Sequence, residues 1–156
     1  GLLNKNPYRT SMACSDWWLM MRLLPLLLLF STSAFASTDC EKAESMLSPS
    51  VHLVVQALRL HKQNADHKTI AQWRVNTFNP EIEKIITANE LSPKELMSPD
   101  LSLTREVYND VMMRSKIYVG HVYSYSKGTI NEDAVEEQRK AINAVVQKFK
   151  SICVSQ

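Results

Sequence analysis

"IYVGHVYSYS", residues 117–126, decides the fold class. Its β-branched and aromatic content suits a strand, as does the alternation over Tyr123-Ser124-Tyr125-Ser126. The flanking pattern favours a helix. Val107, Val111, Tyr118, Val122 and Tyr125 recur at helical spacing, flanked by Tyr108, Met112 and Val119, with Asn109, Lys116 and Gly120 opposite. No turn signal precedes Ile117. One helix from about Leu103 to Ser126, the longest of the chain, is therefore expected.

Working toward the N-terminus, serine or asparagine precedes proline four times within residues 37–156, at Ser48-Pro49, Asn79-Pro80, Ser92-Pro93 and Ser98-Pro99. Each reads as a helix start. The side-chain oxygen caps a free N–H, and proline lacks the donor that would go unpaired. Glu95 completes a capping box with Ser92. From Ser50, Val51, Val54, Val55, Leu58 and His61 share a face, Leu53 and Leu60 add a second apolar edge, and His52, Gln56, Arg59 and Gln63 face away. Ile70, Trp73 and Thr77 lead to Phe78, with a kink or restart at Asn79-Pro80, and Ile82, Ile85 and Ile86 continue the stripe.

Beyond Ser126, Thr129 or Asn131 caps a last helix whose inner face is Val135, Ile142, Val145, Val146, Phe149 and Ile152. Cys153 falls on the face of Val135. After residue 36 the only glycines are Gly120 and Gly128, and turn-rich β folds need more. The expected fold is all-α: a compact bundle of four main helices plus a short connecting helix.

"MRLLPLLLLFSTSAFASTDC", residues 21–40, reads as an address. Arg22, the apolar run Leu23–Phe30 and the small-x-small triplet Ala34-Phe35-Ala36 are the parts of a secretory signal. The run is too short to span a bilayer, which takes about 20 apolar residues. Residues 21–36 are expected to be cleaved, 1–20 to be sequence upstream of the true start, and 37–156 to form a single helical domain, periplasmic in a Gram-negative bacterium or secreted. Cys40 lies four places past Ala36, so it is not a lipid attachment point.

Residues 37–156 carry 15 basic and 15 acidic side chains. A nucleic-acid partner calls for a basic excess, and none is present. No stable membrane anchor is expected after cleavage. Cys14 leaves with the leader. The remaining pair, Cys40 and Cys153, reads as a disulfide tying the mature termini in an exported chain.

Chemistry-bearing motifs are scarce. There is no GxSxG, no glycine-rich phosphate loop and no HExxH. His61, Asp66 and His67 flank one turn and are the nearest approach to a metal cluster, but their spacing matches no established ligand pattern. They are expected to be solvated side chains at a helix corner. No cofactor is implied. The anomaly is aromatic: Tyr108, Tyr118, Tyr123 and Tyr125 fall within eighteen residues. Tyrosine and tryptophan are enriched at protein interfaces, which makes Tyr123, Tyr125 and Trp73 the candidate contact residues. The expectation is a non-enzymatic protein that binds a protein partner, as an envelope accessory or an inhibitor or immunity-type protein does. The alternative is a small-molecule or metal carrier with its site between helices.

Overall fold

The computed structural model describes residues 31–154. The chain divides into two compact units, Gly1–Ala34 and Phe35–Gln156, and every side chain with a described environment belongs to the second. Segment 1–20 and the leucine run of the leader lie outside the described residues.

Among the described residues there are helices and no strand. Helix α1 is Ser31–Lys62. Helix α2 (His67–Trp73) passes through a π-type turn, Arg74–Phe78, into α3 (Asn79–Ala88). The short α4 (Pro93–Met97) and a 3-10 turn, Pro99–Leu101, lead to α5 (Ser102–Val107). A second π-type stretch, Tyr108–Met113, joins α5 to α6 (Arg114–Ser126), and α7 (Glu132–Phe149) ends in a third, Lys150–Val154. Four helical runs and one short helix result, as the periodicity predicts. "IYVGHVYSYS" is helix, and its stripe is core: Val107, Val111, Tyr118, Val119 and Val122 are buried.

Three of the four serine- or asparagine-proline pairs open helical segments. Ser92 makes the full capping box: its Oγ accepts from the Glu95 N–H at 3.3 Å, and Glu95 Oε2 accepts from the Ser92 N–H at 2.9 Å. Ser98 precedes the 3-10 turn in extended geometry. Asn79-Pro80 is the expected restart, opening α3 directly after the π-type turn without a side-chain cap. Ser48-Pro49 starts no helix. Pro49 sits inside α1, which at 32 residues is the longest helix in place of the Leu103–Ser126 run. An internal proline costs about 3 kcal/mol, and each buried Met, Leu or Val side chain contributes about 1.5–3 kcal/mol. Met46 and Leu47 before Pro49, and Leu53 and Val54 after it, are buried, so tertiary packing carries the helix across the break. At Pro80 the preceding π-type turn loosens the ladder where the ring would meet the carbonyl four residues back, and the helix continues.

The seam of α1 is rotated from the expected one. Ala43, Met46, Ser50, Leu53, Val54, Ala57 and His61 face the core, while Val55 is 38% exposed. Ile152 is likewise 40% exposed, because the last turn of the α7 run is π-type and shifts the side-chain phase. Cys153 still meets Cys40, with Cα atoms 5.7 Å apart across 113 residues of sequence. One residue earlier, Asp39 accepts from the backbone N–H groups of Leu103 (3.1 Å) and Thr104 (2.8 Å). Its carboxylate caps α5 from the far end of the chain.

Candidate functional site

Tyr123 lies in the last turn of α6, where that helix packs on α2. Its half-buried ring carries two cations. The Arg74 guanidinium carbon is 5.1 Å and the Lys127 ammonium 5.5 Å from the ring centroid. Arg74 opens the π-type turn after α2, and Lys127 is the residue immediately after α6. Packing of α2 on α6 brings Arg74 to the ring, and Lys127 reaches it from the end of Tyr123's own helix.

Trp73, next to Arg74, is half-buried and packs on Phe78 with ring centroids 5.6 Å apart. Its indole N–H donates to Gln56 Oε1 at 3.1 Å. An indole nitrogen can only donate, so the Gln56 carbonyl faces Trp73 and its NH₂ group faces His52 Nε2, 2.9 Å away. The His52 nitrogen is thereby the acceptor. Trp73 is thus engaged with Gln56 and Phe78 while remaining partly exposed.

Tyr125 points elsewhere. It meets His61 edge to face at 4.9 Å, and both line a cleft of about 520 Å³ between the α1–α2 and α6–α7 turns. Ile70, Val122 and Ile130 supply its apolar part, and Asp66 and Lys127 line it too. Two left-handed residues shape these turns, Asn64 (φ 53°) and Gly128 (φ 72°). Gly128 has the conformation that glycine adopts without strain.

His61 departs from the expected solvated state. It is 6% exposed, and its Nε2 lies 2.9 Å from Glu132 Oε1. The helical spacing that put His61 on the apolar face of α1 carried this information; reading it with the neighbouring turn obscured it. Asp66 caps α2, accepting from the N–H groups of Lys68 and Thr69 at 2.9 Å each. The Thr69 N–H bond, chiefly, holds its carboxyl below the usual carboxylate range. His67 is exposed and does not line the cleft. His61, Asp66 and His67 are thus not gathered into one centre, and among the described residues no group of three or more His, Cys, Asp or Glu could hold a metal ion. His121 places Nδ1 3.1 Å from the Ala134 carbonyl.

Sequence reasoning missed Arg74, Lys127 and Glu132. Arg74 and Tyr123 are 49 residues apart, and only packing of α2 on α6 joins them. One signal was legible: no aspartate or glutamate occurs in residues 67–80 or 111–131.

Fold and site together define a disulfide-closed, all-helical protein with an aromatic-cationic face and a neighbouring polar cleft. Among the described residues no helix is long and apolar enough to cross a membrane. No protein-family model matches the chain, and no curated protein or solved structure matches it either.

Proposed function

We propose that this is an exported, non-enzymatic helical protein, periplasmic or secreted, that binds a protein partner through the face centred on Tyr123. The observation that carries the reading is the pair of cations on one half-buried tyrosine ring, neither of them engaged in an ion pair among the described residues. Arginine and tyrosine are enriched at interface centres, where they bury area and stay tolerant of water. Trp73 is the neighbour of Arg74 in sequence, and Tyr125 lines the cleft. Photo-crosslinking from position 123 in the native host is expected to trap one protein reproducibly, while the same probe at exposed Asn143 does not. An equal pattern from both positions sinks the reading. Export is tested by N-terminal sequencing of the mature protein. A start near Ser37 is expected, and recovery with residues 1–36 attached overturns it.

The cleft supports a second reading, a small-molecule carrier. Its volume of about 520 Å³ and its apolar floor with a few polar groups suit a small ligand. Native mass spectrometry of protein purified from its host separates the two: a retained small mass favours the carrier, a co-purifying protein the binder.

A further inference from the structure

We infer that the partner surface is acidic: the Tyr123 face takes a protein segment that presents carboxylates beside an apolar side chain. This rests on the partner-binding reading above and names the chemistry of that partner.

The argument is local charge. Residues 37–156 balance at 15 basic and 15 acidic groups, yet the two elements that build this face carry no carboxylate, from 67 to 80 or from 111 to 131. The other cations of α6 are compensated from neighbouring elements: Arg114 pairs with Asp110 at 2.9 Å and Lys116 with Glu83 at 2.8 Å. Arg74 and Lys127 are not. Asp66, which lines the cleft with Lys127, accepts the α2 cap bonds from Lys68 and Thr69.

The Tyr123 ring holds both cations in place but cannot neutralise them. A carboxylate reaching the ring edge would meet two positioned cationic donors, one of them a guanidinium suited to bidentate pairing. Val75, next to Arg74 in the π-type turn, is 65% exposed and offers apolar area at the same place. That mixture favours a protein segment over a polyphosphate. Nucleic acids and anionic bilayers are bound by extended basic surfaces, whereas the Tyr123 ring gathers two cations, Arg74 and Lys127.

The test uses the full chain and a blocked peptide of alternating glutamates and leucines, followed by amide chemical shifts. Saturable shifts centred on Arg74, Tyr123 and Lys127 are expected, weakening with salt, and a lysine-leucine peptide of equal length should give none. Affinity should fall at least tenfold in Arg74→Glu/Lys127→Glu and by a smaller factor in Arg74→Gln/Lys127→Gln, with folding of both checked by circular dichroism. No saturable shift up to millimolar peptide, unchanged affinity in both double variants, or binding only to phosphatidylglycerol vesicles or a DNA oligonucleotide overturns the inference. Crosslinking separates it from the broader reading. A partner trapped from position 123 with undiminished yield in both charge variants leaves the protein-binder reading standing and sinks the acidic one. No trapped partner sinks the broader reading.

Discussion

Asp39 holds Thr104 across 65 residues of sequence: the Thr104 N–H donates to Asp39 Oδ1 at 2.8 Å and its hydroxyl donates to the same oxygen at 2.6 Å. A residue of α1 thereby supplies the cap that the first turn of α5 lacks in its own sequence, since Leu101 makes no side-chain cap bond. Charge-assisted bonds of this kind contribute about 1.5–3 kcal/mol. Asp39→Ala is expected to destabilise the protein by about 2–3 kcal/mol in urea unfolding, and Asp39→Asn by roughly half as much. A loss below about 0.5 kcal/mol would mean that α5 is held by packing alone.

Beside that clamp, the Cys40–Cys153 bridge closes a loop of 113 residues. Restricting an unfolded chain over that length is worth roughly 4–5 kcal/mol in the chain-entropy model. Dithiothreitol reduction and the Cys40→Ala/Cys153→Ala variant are expected to lower unfolding free energy by similar amounts toward that size. Equal urea midpoints for oxidised and reduced protein would contradict it.

Tyr118 is fully buried, and its hydroxyl is without a hydrogen-bond partner. Burial first, and then the Glu136 carboxylate, push its phenol up to about 12. The folded value lies above the ordinary value of 10, so the neutral phenol stabilises the fold below pH 10. That contribution is lost as pH rises from 10 toward about 12, by up to about 1.4 kcal/mol per pH unit. Ultraviolet titration should show a tyrosine ionising near pH 12 that is absent in Tyr118→Phe. Tyr118→Phe is expected to change stability at pH 7 by less than about 1 kcal/mol, because no hydrogen bond is lost, and to remove much of the alkaline decline. A loss of several kcal/mol at pH 7 would show that the hydroxyl has a partner.

Glu95 works in the opposite pH range. Its hydrogen bond from Lys42, then the Ser92 backbone N–H, draw its carboxyl down to about 2 from an ordinary 4.5. The folded value is depressed, so the stabilisation is present above pH 4.5 and disappears as pH falls toward about 2. In thermal melts, Glu95→Gln should lie below the parent at pH 7 and converge with it near pH 2. A gap that persists unchanged at pH 2 would assign the effect to packing.

The helical content and the disulfide were readable because they depend on short-range pattern and on simple counting. The 3.6-residue stripe of Val107 to Val122 overrode the β-branched look of "IYVGHVYSYS", and two cysteines remained to pair in residues 37–156. Ser92 and Glu95 announced their capping box because it spans three residues. The same logic failed at Pro49. The signal was local, but buried residues on both sides of it outweighed the local cost.

The sequence by itself determined an all-helical chain with a Cys40–Cys153 bridge, because helical period, caps and cysteine number need no knowledge of distant partners. Only the tertiary structure decided which aromatics face which neighbours. It turned Tyr125 onto His61 and Tyr123 toward Arg74 and Lys127, and it took Asp39 to Thr104. These relations, except the near neighbours Tyr123 and Lys127, join residues far apart in sequence, and side-chain direction there depends on how the helices settle against one another.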